Sequence, residues 1–194
     1  MAVDPIPNNK VLSPRSMAHV VLKTPKLKPM SAYYKTFLGA HASFERDHLA
    51  FLTYDEEHHR IALAEIPGLN PKDKESAGMH HVAFTYDSLT DLLTAYKQRK
   101  ELGISPAWCV NHGPTISIYY EDPDGNYIET QADTFATVEE INASMTSPEF
   151  AKNPIGADFD PDDFIRRLES GEPESELKKR PDVGTRGPES VPLA

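Results

Sequence analysis

Two stretches of the chain repeat one pattern of apolar and polar positions. MAHVVLKTPKLKPMSAYYKTFLG (17–39) and MHHVAFTYDSLTDLLTAYKQRKELG (79–103) each open on a short β-branched run and break at polar residues. Each then continues with apolar residues at helical spacing, closing at Gly39 or Gly103. Met17 aligns with Met79, His19 with His81, Val20 with Val82, Leu27 with Leu89 and Tyr34 with Tyr96. Strand-like segments follow each helix: HASFERD, LAFLTYD and HRIALAEI in the first copy, SPAWCVN, TISIYYE and NYIETQA in the second. The pattern therefore predicts an α+β fold of two βαβββ modules, 16–68 and 78–133. EDPDGN (121–126) joins the last two strands, because Asp-Gly tolerates the positive φ of a tight turn. NPKDKESAG is polar and reads as the linker between modules.

The pattern changes after Phe135. TVEEINASM and PDDFIRRLESG read as short helices capped by Thr137 and Asp160, set in Pro- and Glu-rich surroundings. The expected organisation is an N-terminal extension (1–15), a two-module domain (16–135) and an acidic tail (136–194). Such a tail cannot bury enough to fold alone; it packs on the domain, wraps a partner subunit or stays loose. The formal net charge is −10, and the tail holds thirteen acids against seven bases. An acidic balance without basic patches excludes nucleic acid and anionic membrane as expected partners. The opening MAVDPIPNNK has neither an apolar run nor a basic amphipathic pattern, and no segment reaches 18 continuous apolar residues. The single cysteine, Cys109, leaves no internal disulfide. Together these predict a reducing, cytoplasmic setting.

The repeat also settles which member of His80-His81 carries chemistry. Successive strand side chains point to opposite faces, and only His81 aligns with His19. A third ligand is expected from NYIETQA, where Glu129 sits between Ile128 and Thr130. In the first module an ungapped alignment puts Ala64 at the corresponding place, with Glu65 facing the other way. Two histidines and one carboxylate, with coordination positions left open, form the ligand set of non-haem Fe(II) oxygenases.

The paired modules, the HxV first strands and the run SIYYEDPDGNYIE (117–129) resemble the vicinal oxygen chelate superfamily, which includes glyoxalases, bleomycin-resistance proteins and extradiol dioxygenases. The resemblance covers roughly 16 to 133 and implies that each module curls an incomplete sheet around a cleft, with a metal between them. Within that group the chain resembles type I extradiol dioxygenases most, in their metal-bearing domain. EEHHRIAL (56–63) is similar to that family's His-His element, whose second histidine, here His59, would be the acid/base. Tyr119 matches a tyrosine that hydrogen-bonds the substrate oxygen. His112, in VNHGPT, resembles another pocket histidine on a slightly shorter loop. Two-domain members carry a further N-terminal domain with no counterpart in this chain.

The resemblance implies Fe(II), with Mn(II) as the alternative, held by His19, His81 and Glu129. The partners implied are a catechol-type aromatic and O2, and the expected assembly is a homodimer. Three other readings use the same fold. A thiol transferase of the fosfomycin type must bind a phosphonate dianion, yet no Lys or Arg occurs from Glu101 to Ala151. A glyoxalase-like lyase wants a fourth protein ligand, which Ala64 does not supply. A metal-free binding protein would have no need of His59. Trp108, Phe51 and Tyr120 are candidates for an apolar pocket wall.

Overall fold

The computed structural model describes residues 11–192; the opening MAVDPIPNNK, and with it most of the expected N-terminal extension, lies outside the described residues. The chain divides into two compact units, 1–69 and 70–194, each holding one copy of the repeat.

In the first unit, β1 (Val20–Thr24) leads into α1 (Leu27–Leu38), followed by β2 (His41–Arg46), β3 (Leu49–Thr53) and β4 (Ile61–Glu65). The sheet order is β1-β4-β3-β2, with β1 parallel to β4 and the other pairs antiparallel. Leu27, Met30, Tyr34 and Phe37 recur at helical spacing and are all buried. Gly39 ends the helix in the left-handed conformation, φ 63°, where Ala40 donates back to the Lys35 carbonyl. Leu22, Leu52, Ile61 and Leu63 form the buried face of the sheet. Glu65 belongs to the same face as Ile61 and Leu63 and accepts from the Leu27 N–H at the start of α1, 3.2 Å. The opposite face of the sheet carries Val21, Phe51, Ala62 and Ala64.

The second unit repeats this order as β5 (His81–Tyr86), α2 (Leu89–Glu101), β6 (Trp108–Asn111), β7 (Thr115–Glu121) and β8 (Tyr127–Asp133). Ser88 caps α2, and Leu89, Leu92, Leu93 and Tyr96 are its buried face. The β7–β8 turn has Gly125 at φ 83°, and the Asp122 carboxylate accepts from the Asp124 and Asn126 N–H groups.

Of the three fates open to the tail, the structure has it packed on the second unit. It contains α3 (Val138–Met145), α4 (Pro148–Lys152), β9 (Ala157–Asp158), α5 (Pro161–Glu169), α6 (Glu174–Leu177) and a 3₁₀ turn at Pro188–Ser190. Thr137 and Asp160 cap α3 and α5 as expected, Thr137 through a reciprocal box with Glu140. The strand β9 was not foreseen. It pairs antiparallel with β6, so the second sheet has five strands in the order β5-β8-β7-β6-β9. Across the back, α5 lies on α2, where the Tyr96 hydroxyl and Lys100 ammonium both donate to Asp162. The Thr90 hydroxyl and N–H donate to Glu174, and Phe164 and Leu177 are buried.

Candidate functional site

Sheet register decides which side chains meet. In the second unit Trp108, Tyr119, Glu129 and Ala83 lie directly opposite one another across four strands and share one face. His81 belongs to the same face, two residues before Ala83 on β5. The His81 Nε2 lies 2.9 Å from a Glu129 carboxylate oxygen, with 31% of the His81 side chain exposed and only 7% of Glu129. Burial opposes ionisation of Glu129, but hydrogen bonds from His81 and Ser117 outweigh it and hold the carboxyl below its ordinary range. Ser117 lies two residues before Tyr119 on β7, so strand parity alone brings it to this face. His80 is exposed, with its ring 5.4 Å from Tyr127.

Tyr119 is 5% exposed, and its ring stacks on Trp108 at 5.2 Å. Its hydroxyl lies 3.1 Å from the His112 Nε2 and also reaches Glu129, two acceptors that share its single hydrogen. Burial and the Glu129 charge push the phenol pKa up, so Tyr119 keeps its proton. The other imidazole nitrogen of His112, Nδ1, lies 2.5 Å from the Ile155 carbonyl oxygen. A carbonyl can only accept, so Nδ1 carries the hydrogen. Burial lowers the His112 pKa despite the Ile155 bond, which leaves a neutral ring with a lone pair on Nε2. Tyr120, one residue on, faces away; it is fully buried, with the Arg99 guanidinium 5.3 Å from its ring centre. Trp108 is thus a wall of this face and Tyr120 is core.

In the first unit, Phe51, Ala62 and Val21 occupy the row that Tyr119, Glu129 and Ala83 occupy in the second. The counterpart of Glu129 is therefore Ala62, not Ala64. The ungapped alignment was displaced by two residues because β1 and β4 pair from Val20 and Ile61, as Val82 and Ile128 do. Both alanines share a face, so the first module still brings no carboxylate there.

His19 immediately precedes β1, and its ring lies 4.2 Å from that of His59. His59 also stacks on Phe51 at 4.6 Å, whereas His58 is exposed. The loop carrying His59 is tied at the two residues just before it. Ser43, at the bulge of β2, donates to the His58 carbonyl at 2.7 Å, and Thr53 donates to that of Glu57 at 2.7 Å. Arg60 pairs with Asp55 and donates to the Met17 and Ala18 carbonyls, just before His19. Burial, then the neighbouring His19 and His58, push the His59 pKa down, so its ring is neutral near pH 7.

The donor types fit a divalent metal: an imidazole Nε2 and a buried, ionised carboxylate oxygen converge within the second unit. No group of three or more His, Cys, Asp or Glu side chains placed to hold a metal occurs among the described residues. The absence of Lys and Arg from Glu101 to Ala151 does not leave the site without a cation close by. The tail brings Arg180 to the His112 loop, where its guanidinium is taken up by the carbonyls of His112, Asn153 and Glu149. No side-chain signal in the sequence marked Ile155 or Arg180.

The sequence profile of the Glyoxalase/Bleomycin resistance protein/Dioxygenase superfamily matches residues 16–130. A protein named biphenyl-2,3-diol 1,2-dioxygenase 2, from Rhodococcus globerulus, is 47% identical over 157 residues, covering 80% of this chain and 83% of its own length. Biphenyl-2,3-diol 1,2-dioxygenase 3 from the same organism is 44% identical over 171 residues, covering 87% and 90%. Among solved structures, a glyoxalase/dioxygenase from Nostoc punctiforme superposes with a TM-score of 0.51 at 26% identity, covering 64% of this chain and 97% of its own.

Proposed function

The chain belongs to the Glyoxalase/Bleomycin resistance protein/Dioxygenase superfamily, and from that premise we propose that it is an Fe(II)-dependent extradiol dioxygenase opening a catechol-type ring with O2. The observation that carries the reading is the His81–Glu129–Tyr119–His112 row, in a chain whose two Rhodococcus relatives are named for one reaction. Breaking the 1,2 bond of a 2,3-diol cuts beside the two hydroxyl-bearing carbons, which is extradiol cleavage. The described residues contain no helix long and apolar enough to cross a membrane.

In this reading His81 and Glu129, together with His19, hold the metal; His19 precedes its strand as His81 begins its own. When bound, Fe(II) would supply a Lewis-acidic, redox-active centre for the diol and O2. The protein supplies the proton traffic. His59, neutral near pH 7, accepts a proton from one diol hydroxyl and later returns it. The Tyr119 O–H, kept protonated by its surroundings, donates to the oxygen that gains negative charge. His112 offers a lone pair beside it. Trp108, stacked behind Tyr119, is an apolar wall suited to an aryl ring. Arg180 is occupied by backbone carbonyls, which agrees with a substrate lacking a strongly anionic group.

The test is anaerobic reconstitution with Fe(II), followed by oxygen uptake with catechol and biphenyl-2,3-diol. Wild type should consume oxygen and give a yellow ring-opened product. Glu129→Ala should lose iron, while His59→Gln should keep iron and turn over slowly. A wild-type protein that binds iron yet leaves both diols intact sinks the reaction assignment.

A further inference from the structure

The tail does more than cover an edge of the second sheet. Its segment Asn153–Gly156 presses on the loop that carries His112. Gly156 sits at φ 110°, and a β-carbon there would lie 2.2 Å from the Asn111 carbonyl oxygen and 2.8 Å from the His112 Cα. Only a residue without a side chain brings the tail this close. Asn153, 4% exposed, pins the turn from both sides: its side-chain oxygen accepts from the Gly156 N–H at 2.7 Å, and its amide donates to the Gly156 carbonyl at 3.1 Å. Arg180 then bridges the loop and the tail, donating from one nitrogen to the His112 and Asn153 carbonyls at 3.1 and 2.7 Å. Asn111 completes the junction by donating to the Lys178 carbonyl at 3.1 Å. The outcome of all these contacts is one hydrogen bond into the site, from the His112 Nδ1–H to the Ile155 carbonyl.

We propose that the Asn153–Gly156 turn and Arg180 are positioning residues that hold His112 in its Nδ1–H tautomer, with the Nε2 lone pair aimed at Tyr119. The inference rests on the proposed reaction only in giving His112 a substrate to face. In this tautomer a diol oxygen entering the row meets one donor, the Tyr119 O–H, and one acceptor, the His112 Nε2. In the other tautomer the His112 Nε2 carries the hydrogen, and the acceptor that this ring offered beside Tyr119 is lost. The Ile155 carbonyl is a main-chain group, so the effect reaches His112 through the tail's path and not through any side chain at position 155.

The experiment uses the full-length protein with 15N-labelled histidine. Long-range 1H–15N spectra of the iron-free protein read the His112 tautomer, and the iron-loaded enzyme gives kcat and bound iron. Wild type should show the Nδ1–H form alone. In Gly156→Ala, whose new methyl forces the tail off the loop, the tautomers should mix and kcat should fall by about 10²-fold with iron content unchanged. Arg180→Ala is the second variant, with the same readouts, should Gly156→Ala fold poorly. The loss must also vanish in a His112→Phe background, where Gly156→Ala should change kcat by less than about threefold, because two changes acting through one group do not add. A folded variant with wild-type kcat, an unchanged tautomer, or a loss undiminished in the His112→Phe background overturns the proposal. A wild type that cleaves no diol defeats the proposed reaction instead, and the tautomer comparison still decides the positioning role.

Discussion

Replacing Tyr119 with phenylalanine removes a single oxygen and leaves the ring stacked on Trp108. The oxygen lies 3.1 Å from the His112 Nε2 and is bonded to Glu129, in a residue only 5% exposed. A buried acceptor left without its donor costs about 1–3 kcal/mol, partly offset because the variant no longer buries a hydroxyl. With a urea m-value of about 1–3 kcal/mol/M, a net loss near 1 kcal/mol moves the unfolding midpoint down by roughly 0.3–1 M. Catalysis should suffer more. Removing a preorganised donor to developing negative charge costs about 10²–10³ in kcat, or roughly 2.7–4 kcal/mol. The assay is oxygen uptake at saturating diol on protein of known iron content, beside urea unfolding monitored by fluorescence. A midpoint that falls while kcat stays within about fivefold of wild type would falsify the donor role and leave Tyr119 as a packing residue. Loss of iron would refute the reasoning differently, since the hydroxyl would then be acting through Glu129.

Leu177→Ala probes whether the tail is integral to the second unit. Leu177 is 1% exposed, so its truncation should cost about 2–5 kcal/mol, whereas Val183→Ala, at a position 52% exposed, should cost under about 0.5 kcal/mol; equal unfolding midpoints for the two would mean the tail is not docked. Cys109 tests the local field of that junction. Burial, then the charges of Asp160, Asp158 and Asp162, push its thiol pKa up to about 12, so it stays protonated and should alkylate very slowly at pH 8. Its rate should rise about tenfold per pH unit while the fold survives; rapid labelling at pH 8 in the native protein contradicts this.

The repeat made the strands, the helices and the Gly39 and Gly125 turns readable, because apolar spacing and turn chemistry are local properties. His81 and Glu129 were readable for the same reason: strand parity assigns a face from sequence alone. The slip from Ala62 to Ala64 has its origin there too. Parity fixes a face but not a register, and register belongs to the pairing of β1 with β4. What stayed hidden was carried by the main chain. Ile155 acts through its carbonyl, and Arg180 is joined to His112 across 68 residues, a separation over which no local pattern speaks. The strand β9 has two residues and no alternation to detect.

The docking of β9 on β6 also orders events during synthesis. Helix α2 and strands β5 to β8 are all complete by Asp133, yet their outer edge stays open until Ala157–Asp158 arrives, and the grip of Arg180 on His112 comes later still. A ribosome adding about 5–20 residues per second therefore leaves the second sheet with an unpaired edge for some seconds after its last central strand has emerged. During that interval β6 offers its free backbone groups to any other strand, including those of neighbouring nascent chains. The same interval precedes the hydrogen bonds of Arg180 and Ile155 to His112, so the loop that carries this histidine is held last of all.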